Sequence, residues 1–120
     1  MKSYTDIEQS KKLAEILPIE SADMYYWCGD RISIGGYKAM DKDLDIPAWS
    51  LAALLEQLDD EITDNDDNDY ELTIIKAGLH YQLYYHNSWG RAEDIKADWH
   101  DDMIDACVEM ILKLHKKKLL

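Results

Sequence analysis

DMYYWCGDRISI, residues 23–34, and YELTIIKAGLHYQLYY, residues 70–85, decide the fold of this chain. In both, apolar and polar residues alternate on either side of a glycine, which is the period of a strand punctuated by a tight turn. In the first, a two-residue loop at Gly29-Asp30 pairs Cys28 with Arg31, Trp27 with Ile32 and Tyr25 with Ile34. Paired residues share a face, so Tyr25, Trp27, Ile32 and Ile34 form the inward side. In the second, a turn at Ala77-Gly78 pairs Ile74 with Tyr81, Leu72 with Leu83 and Tyr70 with Tyr85, and these six face the core. Ala77 suits a primed turn poorly, so a bulge or a one-residue slip remains compatible with the pattern.

Three helices flank these hairpins. Thr5 to Leu17 starts with a capping box, Thr5 and Glu8, and stops at Pro18, because the residue before proline leaves the α region. Pro47 to Glu61 places proline at the first helical position and buries Leu51, Leu54, Leu55, Leu58 and Ile62, with fraying expected near Asp60. Asn87 to Asp98 reads as a connection. Asp98 to Lys117 then carries Met103, Cys107, Met110, Ile111 and Leu114 on one stripe. The order α-ββ-α-ββ-α predicts an α+β domain, with a four-stranded antiparallel sheet from two β-hairpins packed with three helices.

Length and composition agree. With 120 residues, 47% hydrophobic, the chain suits one compact domain spanning 1–120. No apolar run approaches the roughly 20 residues that span a bilayer. Met1 to Lys12 lacks the apolar core of a secretory signal, so a cytoplasmic setting is expected. Cys28 and Cys107 have no metal-ligand spacing and read as two small buried hydrophobes. Twelve acidic side chains and one base, Lys42, lie between Asp41 and Glu71; that stretch supplies −11 of a net charge of −12. Such a field repels phosphate backbones and anionic membranes and attracts cationic partners.

Ile16-Leu17-Pro18, Ser21 to Tyr26, Ile46 to Leu55 and Asp105 to Ile111 together resemble small acidic proteins of gut-bacterial prophage and mobile-element regions. The resemblance covers most of the chain and implies a phage-associated context. Its motifs mark strands and helix faces, so it carries over no activity, cofactor or binding residue.

Sites of chemistry are sparse. Asp64-Asn65-Asp66-Asp67-Asn68-Asp69 begins like a calcium loop, but Asp69 stands where the turn needs glycine and Ile75 where it needs a bidentate glutamate. Asp41 to Asp45 departs in the same way, with Ile46 and Ala52 at those positions. The four histidines lack zinc spacing. His100, among Asp98, Asp101 and Asp102, is the one imidazole with neighbouring carboxylates in sequence. No elbow serine or phosphate-binding loop is present. No catalytic residue, metal site or cofactor is therefore assigned, and neither nucleic acid nor membrane is expected as a partner. The hairpin registers leave Met24, Tyr26, Cys28, Ile75, His80, Tyr84 and His86 on the sheet face opposite the core. Tyr and Met are enriched at interfaces. Met24, Tyr26, Ile75, His80, Tyr84 and His86 are thus a candidate interaction face for a protein partner or a second copy, as in a homodimer. An acidic inhibitor that mimics nucleic acid is the alternative expectation.

Overall fold

The computed structural model describes all 120 residues and is α+β, with three helices and two antiparallel sheets. The chain divides into two compact units, Lys2–Gln57 and Leu58–Leu120, the latter grouped with Met1. The single four-stranded sheet expected from two hairpins is replaced by one sheet of three strands and one of four. The two hairpins lie in different sheets, and three short strands, invisible to the alternation rule, add one strand to the first sheet and two to the second.

In the first unit, helix α1 (Ile7–Ala14) precedes strands β1 (Met24–Trp27), β2 (Arg31–Ile34) and β3 (Ile46–Ala48) and helix α2 (Leu51–Glu56). The sheet order is β2-β1-β3. The first hairpin forms, shifted by one residue. Cys28 takes φ +49° and leaves the ladder, so the loop has three residues and Trp27 pairs with Arg31, Tyr26 with Ile32 and Met24 with Ile34. A one-residue slip turns β1 over relative to β2, so Tyr26 rather than Trp27 shares a face with Ile32. Tyr26, expected outside, is buried, and Trp27 and Ile34, expected inside, are exposed. Two contacts favour this arrangement: the Tyr26 hydroxyl donates to the Thr5 carbonyl at 2.7 Å, and the Arg31 guanidinium lies 5.2 Å from the centroid of the Trp27 ring.

Thr5 also corrects the first cap. Asp6, not Thr5, caps α1 and completes a capping box with Gln9. The Thr5 hydroxyl is committed elsewhere, 2.7 Å from Ser10 Oγ and accepting from the Trp49 amide at 3.1 Å. Its own amide donates to the Trp49 carbonyl at 3.0 Å. Thr5→Val keeps the shape but strands a buried amide, and should destabilise this unit by about 1–3 kcal/mol in urea titration. An unchanged midpoint would mean that the hydroxyl is dispensable.

Pro47 is not the start of a helix. It lies in edge strand β3 opposite Tyr25, a position where a missing N–H is tolerated. Ser50 caps α2 instead, accepting from the Ala53 amide at 3.2 Å, while its own amide and hydroxyl donate to the Asp23 carboxylate.

In the second unit the order is β4 (Glu61–Thr63), β5 (Asp69–Ala77), β6 (His80–His86), β7 (Ile95–Lys96) and helix α3 (Met103–Lys116), with the strands adjacent in that sequence. Helix α2 stops at Glu56, short of the expected Glu61, since carboxylates at 59–61 would oppose its dipole. Glu61–Thr63 is extended instead and pairs with β5. The second hairpin keeps its expected faces but turns at Gly78-Leu79, one position later than expected. Gly78 takes φ +62°, which a turn with glycine at its first central position requires. Ile74 therefore pairs with Leu83 and Leu72 with Tyr85, a two-residue shift that preserves parity. Tyr70, Leu83 and Tyr85 are buried as expected, and Leu72 and Tyr81 are half-buried. Ile74, expected in the core, is 44% exposed, since it lies past the part of β5 that β4 covers. The Tyr85 hydroxyl donates to the Asp59 carbonyl at 2.7 Å, and burial raises its pKa, so it stays a donor.

Helix α3 packs on β6. The predicted stripe Met103, Cys107, Met110, Ile111 and Leu114 is buried, and Ile104, Ala106 and Val108 widen it. The helix starts at Met103 rather than Asp98, because Asp102 caps it, accepting from the Ile104 amide at 2.8 Å. The residues before the cap stay extended along β6. No helix of the chain is long and apolar enough to cross a membrane.

Candidate interaction surface

The four-stranded sheet buries one face and leaves the other bare. On the core side, Tyr70, Leu83, Tyr85 and Ile95 are all buried. The opposite parity gives Thr73, Ile75 and Ala77 on β5, His80, Gln82, Tyr84 and His86 on β6, and Lys96 on β7. Every one of these is exposed or half-buried and none is buried, so no element covers them.

Four of the six expected interaction residues, Ile75, His80, Tyr84 and His86, therefore share this open face. Met24 and Tyr26 do not join them. They belong to the other sheet, where Tyr26 is buried with its hydroxyl bonded and, through burial first, its pKa raised. Cys28, grouped with them by parity, is exposed in the turn, contrary to its expected burial. Cys107 is buried as expected and its thiol is pushed up to about 12, by burial first and by Asp102 second. Under native conditions a thiol reagent should thus modify Cys28 quickly and Cys107 only on unfolding; mass spectrometry of labelled peptides checks this. Equal labelling of both would contradict the packing of α3.

Trp99 is the open-face residue that sequence reading missed. Along β6 the partner positions run Tyr85 to Ile95 and Tyr84 to Lys96, yet Tyr81 bonds His100 rather than residue 99. One extra residue has been inserted, a bulge at Asp98-Trp99 that re-aims the indole. Trp99 is 47% exposed and walls a shallow depression of about 350 Å³ with Ala77 and His80. Only the mismatch in pairing reveals it, and the sequence has no signal for that.

His86 is held in place. Its Nδ1 lies 3.0 Å from both Asp94 oxygens, and the Asn87 amide donates to the same carboxylate at 2.9 Å. Burial alone would raise the Asp94 pKa; the His86 and Asn87 bonds outweigh it and set it below its ordinary value. The Tyr84 and His86 rings meet edge to face at 6.3 Å.

The other sequence candidates resolve into structural roles. His100 pairs with Glu109 of α3 at 2.7 Å, not with Asp98, Asp101 or Asp102. The same carboxylate accepts from the Asp98 amide at 2.9 and 3.0 Å, which pins the bulge to the helix. Asp64 to Asn68 is the loop of the β4–β5 hairpin. Asp64 Oδ1 accepts from the amides of Asp66 and Asn68, each at 2.9 Å, and Oδ2 from Asn68 Nδ2 and the Tyr70 hydroxyl, each at 3.0 Å. These bonds, those of Asn68 foremost, hold the carboxyl at about 2 against an ordinary 3.8. The folded value is the lower one, so the stabilisation is complete above pH 3.8 and fades as pH falls towards 2. Carboxyl NMR titration should place the Asp64 midpoint near 2, and a midpoint at the ordinary value would refute the hub.

A cleft of about 660 Å³ runs between this loop, Glu93 to Lys96 and the end of α3. Two of its carboxylates, Asp64 and Asp94, are engaged as described, and Lys113 Nζ donates to the Lys96 carbonyl. No three His, Cys, Asp or Glu side chains converge as a metal would need. Comparison with protein-family models, curated proteins and solved structures produced no match.

Proposed function

We propose that this chain is a non-enzymatic, phage- or mobile-element-associated interaction module that binds a protein through the open face of its four-stranded sheet. One observation carries the reading: the face displays Ile75, Tyr84, His80, His86 and Trp99, and no element covers them. Aromatic rings with a polar edge suit a surface that is wet when free and dry when bound. Tyr84 sits at its centre, paired with Thr73 on one side and Lys96 on the other. A photo-crosslinking residue at position 84 should capture a specific protein from the source cell that the same residue at position 8, on α1, does not. Tyr84→Thr, which removes the ring and leaves a residue of high strand preference, should abolish that capture. Identical capture from both positions would dismiss the reading.

The acidic mimic is the second reading, and a specific feature favours it. The ion pairs Lys2–Asp6, His86–Asp94, His100–Glu109 and Lys113–Glu109 use none of the twelve carboxylates between Asp41 and Glu71. Asp41 and Asp45 also border a groove of about 490 Å³ beside Tyr25 and Trp27. Unneutralised carboxylates beside aromatic rings suit a cationic partner. Its mark is binding to a basic protein that weakens steeply with salt; binding indifferent to salt would remove it.

A further inference from the structure

Residues 72–92 contain no aspartate or glutamate, the longest acid-free stretch in a chain with 25 acidic residues. That stretch holds most of β5 and all of β6, and one edge of β5 is unpaired. The residues flanking a two-residue turn form a hydrogen-bonded pair, here Ala77 and His80, so Thr73, Ile75 and Ala77 spend their backbone groups on β6. Leu72, Ile74 and Lys76 then turn theirs the other way. Leu72 finds a partner there, donating to the Asp60 carbonyl at 2.9 Å. Ile74 and Lys76 find no strand, since β4 pairs only with Asp69 to Glu71.

The opposite edge of the same sheet is blunted. Strand β7 has two residues, the bulge follows it, and the Lys96 carbonyl is taken by Lys113. Edges are normally guarded by such devices, often by a lysine. Lys76 does not guard its own edge: its ammonium sits 6.0 Å from the centroid of the Tyr81 ring, over its own sheet. Ile74, beside it, is 44% exposed.

We propose that this edge of β5 pairs antiparallel with the same edge of a second copy, about a two-fold axis at Ile75. Ile74 of each copy exchanges both backbone bonds with Lys76 of the other. The two Ile75 side chains meet at a non-hydrogen-bonded position, where cross-strand contact is closest, and Thr73 lies opposite Ala77. The pairing ends at Gly78, where each strand turns back towards its own β6 before reaching Asp60 of the other copy. Charge selects the occupant. Two copies at −12 repel each other, so they can meet only where carboxylates are missing, and this edge lies there. A basic strand from another protein would gain nothing from an acid-free surface. The pairing uses the backbone edge, shares only the β5 side chains around Ile75 with the open face, and does not rest on the function proposed above.

Sedimentation over a concentration series, with amide exchange, tests it. A dimer is expected that tightens with added salt, because screening relieves the repulsion. The Ile74 and Lys76 amides should exchange more slowly in the dimer than in the monomer. Ile74→Pro removes an N–H that the monomer does not use, at an edge where proline is tolerated. It should weaken dimerisation roughly tenfold or more, since symmetry removes two hydrogen bonds. Lys76→Pro, at the other outward position, should do the same. Tyr84→Thr should leave the dimer intact while losing open-face capture, so the two proposals fail separately. A monomer at every concentration, unprotected Ile74 and Lys76 amides in a dimer, or association that salt weakens would each overturn the pairing.

Discussion

Replacing Trp49 with alanine should unfold the Lys2–Gln57 unit or leave it barely stable. Trp49 is fully buried, and its backbone carbonyl and amide both bond Thr5. Its indole N–H donates to Ser21 Oγ at 2.9 Å. Removing a buried tryptophan side chain costs about 3–5 kcal/mol, against a total stability of about 5–15 kcal/mol for an ordinary domain. Truncation also leaves Ser21 without its donor. Circular dichroism through a urea titration should show a much lower midpoint, or no folded baseline. A shift below about 1 kcal/mol, the range of ordinary surface substitutions, would mean that Trp49 does not organise this core.

The second large effect is a contrast between neighbours. Leu83→Ala should cost about 2–5 kcal/mol, because Leu83 is fully buried on the side of β6 where α3 packs. Tyr84→Thr, one residue on, should cost under about 1 kcal/mol, because its side chain lies on the uncovered face. Urea titration of both variants measures the asymmetry of the sheet. Comparable losses would show that the second face is also packed, and the proposed interaction surface would go with it.

The two hairpins show where sequence reading succeeds. Around Gly78 the alternation runs long enough on both sides that a turn misplaced by one position changes the register by two and leaves every face correct. Around Gly29 the strands have only four residues each, and one extra loop residue turns β1 over relative to β2, so that Tyr26 rather than Trp27 shares the face of Ile32. Nothing local distinguishes Trp27 from Tyr26 as the inward aromatic. The choice rests on the Thr5 carbonyl, 21 positions earlier, which receives the Tyr26 hydroxyl. Pro47 shows a related limit. A proline before an apolar run is equally compatible with a helix start and an edge strand, and only the presence of β1 beside it decides.

The candidate surface divides in the same way. Ile75, His80, Tyr84 and His86 follow from parity within one hairpin, so their common face could be read directly. Trp99 could not, since it depends on a bulge pinned by Glu109 from α3. Met24 and Tyr26 fell away when the two hairpins proved to belong to different sheets.

By itself the sequence determined what repeats locally: the α+β class, the amphipathic stripe of α3, both hairpins and the acid-free run through the second. Those features arise from side-chain periodicity and turn chemistry, which act over a few residues. Tertiary structure alone decided the first register, the three short strands and the unpaired edge beside Ile74. Each depends on which distant backbone group lies within hydrogen-bonding reach, and that is known only once the chain has closed on itself.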